Sequence, residues 1–233
     1  MSLCAVVLAM VTFSTEIWLC SGYSVDDCVV TVTSADTGGG STYVIYINSN
    51  AQLAELEASV AGCAATGGAG GGGGWRVVGG ALYIRDADDV VDLEALKDLR
   101  AIDGKSNAGY SLSIFNNANL ASLAGLRNVR GALPGALRVS YNDALTSLSG
   151  LEGITRIEGK SGGLGSGWSL LIGNNGVLCL SAADRARLTS CAGPGSCSTS
   201  ACTNQGGCDG TALAIAGGGN VDVQARPSTH DGT

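Results

Sequence analysis

The sequence predicts a mainly β, leucine-rich-repeat-like solenoid of about five coils with short capping helices. Three observations predict it. Short alternating apolar stretches recur at Ile45, Leu82, Leu112, Leu137 and Leu170, and behind them apolar residues fall at every third position. Glycine accounts for 37 residues while aromatics make up only 5%, which requires an aliphatic core and a backbone that turns tightly or loops in many places.

From each start, the residue two later is apolar (Ile47, Ile84, Ile114, Val139, Ile172), and so is the residue eight later (Leu53, Val90, Leu120, Leu145, Leu178). The starts lie between 25 and 37 residues apart, and the extra length falls in glycine- and serine-rich segments such as TGGAGGGGGW, GKSNAGY and GKSGGLGSGW. Insertions gathered at one corner of a repeated unit are how solenoid loops behave.

The segment LRVSYNDALTSLSGLEGITRIEG (137–159) sets Leu145, Leu148, Leu151, Ile154 and Ile157 three apart. On an α-helix every third residue drifts by about 60° per step and forms no stripe, and on a strand it alternates between faces. A chain that coils about its own axis, meeting the interior once every three residues, buries them all. The spacing recurs at Val90, Leu93, Leu96, Leu99 and Ile102, and at Leu120, Leu123, Leu126 and Val129. Each coil then contributes one short strand to a parallel sheet.

Five residues after each start come Asn50, Ala87, Asn117, Asn142 and Asn175. Asparagine tolerates left-handed backbone, and stacked copies can bond one another along the axis, so these positions predict a structural ladder. Terminal coils need caps. The segment NSNAQLAELEASVAGC reads as a short amphipathic helix with Ser49 or Asn50 as N-cap and Leu53, Leu56 and Val60 inward, and SAADRARLTSC as a second helix with Leu188 inward.

A formal charge of −7 with no cluster of Lys and Arg excludes a nucleic-acid surface. The nine cysteines leave residues 64–178 free, which suits bridges clamping two ends of an elongated body in an oxidising compartment. Zinc is the rival reading, but there is no Cys-x-x-Cys pair and the single histidine, His230, lies in the final segment. Residues 1–22 hold an apolar run that is too short and interrupted for a membrane span and read as a secretory signal. The expected organisation is that signal, a solenoid over 23–192, a cysteine-rich segment over 193–209 and a flexible tail over 210–233, in a secreted or cell-surface protein with no stable membrane span and no N-glycosylation sequon.

The chain from about Cys28 to Cys191 resembles the receptor L domain, the ligand-binding module of insulin-receptor and epidermal-growth-factor-receptor ectodomains. The resemblance rests on AQLAELEASVAGC with VVGGALYI at the head, the repeated LxIxxNxxLxxLxGLxxI in the middle and LLIGNNGVLCL at the tail. It implies a right-handed β-helix, a bridge between Cys28 and Cys63 over the first helix, and a bridge from Cys179 to a cysteine just downstream, most simply Cys191. The glycine tract at 67–74 and the insert at 159–169 depart from the family. No second L domain or kinase accompanies them, so the resemblance implies the binding module and not receptor signalling. CSTSACTNQGGC (197–208) resembles the opening of an EGF-like module without its remaining cysteines; a small disulfide knot explains it equally.

Catalysis by a Ser-His-Asp or Cys-His set needs a histidine in a packed frame, which His230 does not provide. The glycine tract GGAGGGGG has no strand-to-helix context for a phosphate loop and reads as a flexible corner. Asp86, Asp88, Asp89 and Asp92 could offer oxygen ligands to calcium, but they lack the glycine and distal glutamate of a calcium loop and read as a solvated turn. No catalytic residue, metal or cofactor is expected. A polysaccharide-active enzyme is a distant alternative, with Asp86 and Asp143 as its carboxylate pair.

The outward positions one and three after each start read Tyr46, Tyr83, Ser113, Arg138, Leu171 and Asn48, Arg85, Phe115, Ser140, Gly173. With Tyr141 beside them, Tyr46, Tyr83, Arg85, Phe115 and Arg138 gather the residue types that anchor interfaces on one sheet. Aromatics also favour strands for their own sake. The expected function is non-enzymatic recognition of an extracellular protein or glycan; a cell-wall or matrix solenoid that merely spaces or stacks is the alternative.

Overall fold

Ile45 pairs with Leu82, Leu82 with Leu112, Leu112 with Leu137, and Leu137 with Leu170, so the five starts form one row across a single sheet. The computed structural model describes residues 23–32, 43–63, 73–159, 168–178, 180, 184, 187–188, 200–203 and 211–216. The expected secretory signal and the Cys179–Cys191 bridge lie outside them, as does most of the second capping helix, of which Asp184, Arg187 and Leu188 are helical and Leu188 is buried.

The chain is mainly β. The large sheet takes β3 (Val44–Ile47), β5 (Ala81–Arg85), β7 (Tyr110–Phe115), β9 (Ala136–Ser140) and β11 (Trp168–Gly173), side by side and parallel. Beyond β11 it continues antiparallel through β13 (Thr211–Ala216) to β12 (Ser200–Thr203). A second sheet orders β1 (Tyr23–Asp26), β2 (Val29–Val32), β4 (Trp75–Val78) and β6 (Leu99–Asp103), antiparallel between the first two and parallel thereafter. A third pairs β8 (Gly131–Leu133) with β10 (Ile154–Ile157) in parallel. The hydrophobic core combines inward residues of all three sheets.

Leu82, Ile84, Leu112, Ile114, Leu137, Val139, Leu170 and Ile172 are all fully buried. Each such side chain stabilises the fold by roughly 1.5–3 kcal/mol relative to leaving it in water. The triplet-spaced residues from Val90 to Ile102, from Leu120 to Val129 and from Leu145 to Ile157 are at most 3% exposed.

Part of the triplet spacing has a local cause. Glu94–Leu96 and Ala124–Leu126 are 3-10 helices, whose three residues per turn place i and i+3 on one side. Leu96 N donates to Leu93 O and Leu126 N to Leu123 O, both at 2.8 Å.

The turns pack backbone on backbone. A Cβ on Gly125 would lie 1.7 Å from Leu93 O, and one on Gly150, at φ +112°, would lie 2.0 Å from Leu123 O. Glycine is required there because successive turns touch.

The asparagine ladder forms over three of the expected positions. Asn117 Nδ2 donates to Asn142 Oδ1 at 2.9 Å and Asn142 Nδ2 to Asn175 Oδ1 at 3.0 Å. The same Oδ1 atoms accept the backbone N–H of Asn117 and Asn142, and Asn117 Oδ1 accepts that of Ala87. The side-chain amides also donate to the carbonyls of Ile84, Ile114 and Val139, so all three buried asparagines are used in both directions. Asn50 is out of the ladder because its repeat turns there into α1 (Asn50–Val60); it is exposed, and its backbone N–H donates to Asp89 Oδ2.

In α1, Ser49 is the N-cap, its side chain accepting from Gln52 N, and Leu53, Leu56 and Val60 face inward. The Cys28–Cys63 disulfide ties the β1–β2 turn to the end of this helix, with 5.4 Å between Cα atoms. No helix among the described residues is long and apolar enough to cross a membrane.

Candidate recognition face

The shared register sets the outward side chains of the large sheet in two columns. Tyr46 lies beside Tyr83, Tyr83 beside Ser113, and Ser113 beside Arg138. Arg85 lies beside Phe115 and Phe115 beside Ser140, with Tyr141 one residue further on. Cross-strand neighbours on one face stand about 5 Å apart, close enough for aromatic and cationic side chains to touch.

They do touch, in two groups. In the first, Tyr46 and Tyr83 meet edge to face with centroids 5.5 Å apart, and Tyr83 meets Tyr110 at 6.2 Å. In the second, Phe115 and Tyr141 meet edge to face at 5.4 Å, and the Arg138 guanidinium lies 3.6 Å from the Phe115 centroid. Such ring pairs contribute about 0.5–1.5 kcal/mol beyond their buried area, and a desolvated cation over a ring about 2 kcal/mol.

Tyr83 is not a surface residue. It is 5% exposed, and its hydroxyl is 2.7 Å from the hydroxyl of buried Ser106. Ser106 belongs to the insert between β6 and β7, whose backbone closes with Ser106 N donating to Tyr110 O and Gly109 N to Ser106 O. The insert packs against the face and makes Tyr83 a support beneath partly exposed Tyr46 and Tyr110.

Tyr110 is the member that sequence reasoning missed. Alternation would turn it inward, two residues before Leu112. A register shift between Tyr110 and Leu112 pairs Tyr110 with Ala136 and re-aims it outward.

The two arginines differ in their surroundings. Arg85 Nε donates to Asp86 Oδ2 at 2.8 Å, and this hydrogen bond raises the guanidinium pKa above its ordinary value. Asp86 Oδ1 accepts from Asn116 Nδ2 at 2.7 Å, and this bond, more than the one to Arg85, holds the carboxyl below its ordinary range. Arg138 is half-buried, its Nε donates to Ser140 Oγ at 2.8 Å, and burial pulls its pKa down. Among the described residues no carboxylate pairs with Arg138.

Within the repeat frame, backbone strain sets Tyr141 apart. Asp86, Asn116, Tyr141 and Asn174 occupy the same frame position at φ between 52° and 60°. Short polar side chains tolerate this left-handed bend, whereas a bulky residue there is an outlier of the kind that collects at functional sites.

Two further carboxylates accept backbone N–H groups. Asp89 Oδ2 accepts from Asn50 N, and Asp92 Oδ1 from Glu94 N at 3.0 Å. Asp86 sits in the second repeat and exposed Asp143 in the fourth, two strands apart in the sheet, a backbone separation of about 10 Å.

The sequence pattern of the receptor L domain matches residues 75–152. Over these residues the chain is similar to the receptor L domain. Receptor L domains are extracellular, ligand-binding modules without catalytic activity. The matched L-domain segment contains Tyr83, Arg85, Phe115, Arg138 and Tyr141, while Tyr46 and the Cys28–Cys63 bridge lie just before it. No curated protein and no solved structure matches the chain significantly.

Proposed function

We propose that this chain is a secreted recognition module in which residues 23–192 wind as a right-handed solenoid and the large sheet binds an extracellular protein or glycan. The single row of starts, the buried triplets and the axial asparagines support the winding, since each is what successive coils in one frame produce. The observation behind the binding role is the partly exposed set Tyr46, Arg85, Phe115, Arg138 and Tyr141 on one face, with a bulky tyrosine at the left-handed position that Asp86, Asn116 and Asn174 hold in the other repeats. Tyr and Arg anchor interfaces because they bury much area with few rotatable bonds.

Affinity capture from native extracellular material and a glycan array, run in parallel, test this reading. The triple variant Arg85→Ala, Phe115→Ala, Tyr141→Ala loses capture while still unfolding in one cooperative transition, at a midpoint lowered by the ring and ion-pair contacts it gives up. Capture by the triple variant equal to the parent's would leave the solenoid with only a spacing or stacking role.

A further inference from the structure

The recognition face holds one cation without an acidic partner among the described residues, and this distinguishes Arg138 from Arg85. Arg85 is neutralised by Asp86 at 2.8 Å. Arg138 is seated on the Phe115 ring, fixed through Nε by Ser140 and half-buried. Removing a guanidinium from water without a counter-charge is costly, and an anion delivered by a ligand offsets that cost. Tyr141, strained at φ +60° against the edge of Phe115, walls the same spot.

We infer that Arg138, with Phe115 and Tyr141 around it, forms a subsite for a single Asp or Glu side chain of an acidic protein segment lying across the large sheet. This rests on the proposed binding role of that face and specifies its ligand. The choice of a protein segment over a sugar follows from the rings. A saccharide needs an open aromatic face to stack on, and at this subsite the guanidinium lies over the Phe115 face. The rings meet at 79° to 85° in the Tyr46–Tyr83 and Phe115–Tyr141 pairs and do not form a flat platform. Two cavities lie away from this face, between α1 and the 91–98 segment, and a sheet face of this kind suits an extended chain laid across it. A guanidinium already held by its Nε can pair its remaining N–H groups with one carboxylate.

The test is a displayed random dodecapeptide library selected on the full disulfide-bonded chain, with a glycan array that includes uronic-acid oligosaccharides beside it. Selected peptides share an Asp or Glu whose replacement by Asn or Gln weakens binding about tenfold or more on the parent. The same replacement changes nothing on Arg138→Gln, and Arg138→Lys, which retains charge and stem, recovers part of the affinity. Peptides that lose binding on Tyr141→Ala but carry no such acidic residue would overturn the inference while leaving the face as a binding surface. Uronic-acid binding that depends on Arg138, with no peptide selected, would also overturn it. Binders indifferent to both Arg138→Gln and Tyr141→Ala would remove the role of the face as well.

Discussion

Asn142 accepts from Asn117 Nδ2 at 2.9 Å and donates to Asn175 Oδ1 at 3.0 Å, so one fully buried side chain bonds the repeats on both sides of it. Hydrogen bonds aligned head to tail polarise one another, and in a dry core each unmade partner costs the full desolvation of that group. Asn142→Ala therefore lowers stability by roughly 2–4 kcal/mol, removing one of the two acceptors of Asn117 Nδ2 and the donors to Asn175 Oδ1 and the Ile114 carbonyl. Asn50→Ala, at the exposed position of the same frame, costs less than about 1 kcal/mol. Equilibrium denaturation of the two variants decides between a ladder and four unrelated turns.

Gly125→Ala places a methyl group inside contact distance of Leu93 O, against backbone that has nowhere to move. The expected loss is about 3 kcal/mol or more, seen as a lowered thermal midpoint. Gly62→Ala meets nothing within 4 Å and leaves the midpoint unchanged or slightly raised.

Cys28 and Cys63 are 35 residues apart in sequence, and their bridge holds α1 over the end of the core. Replacing both by Ser lowers stability by about 2–4 kcal/mol. Non-reducing peptide mapping of the parent recovers the Cys28 and Cys63 peptides as one linked species.

Asp86 is held below its ordinary pKa of 3.8 by Asn116 and then by Arg85. A carboxyl with a depressed folded-state pKa stabilises the fold above its unfolded value, and this contribution disappears as pH falls through the folded value. The thermal midpoint of the parent thus falls more steeply with acidification below 3.8 than that of Asp86→Asn. Parallel slopes for the two proteins would mean that the Asn116 and Arg85 contacts do not favour the charged form.

The frame was legible because an apolar residue at each start and another two later can only be an inward pair on a strand, and five such pairs dictate the observed register. The ladder was legible from Asn117, Asn142 and Asn175 for the same reason. Asn50 misled because a helix begins there, so equal spacing no longer means equal height along the stack. At the face, counting alternate residues found Tyr46, Arg85, Phe115 and Arg138. It could not find Tyr110, since a register shift cancels the count, nor foresee that Ser106 would cover Tyr83. The GKSNAGY insert looks like slack because its burial comes from the sheet it folds onto, which no local pattern records. The triplet spacing was assigned to the path of the chain as a whole, whereas at Glu94–Leu96 and Ala124–Leu126 it is also the pitch of a local helix.

The left-handed bend shared by Asp86, Asn116, Tyr141 and Asn174 has a use beyond turning the chain. Because the backbone aims whatever stands there, the four positions form a row of equivalent sites along the rim, spaced by one strand width. Moving the tyrosine ring from Tyr141 to the Asn116 position would shift it by about 5 Å with no change to the aliphatic interior. The chemistry displayed along the rim can thus change residue by residue while the stack beneath it stays in register.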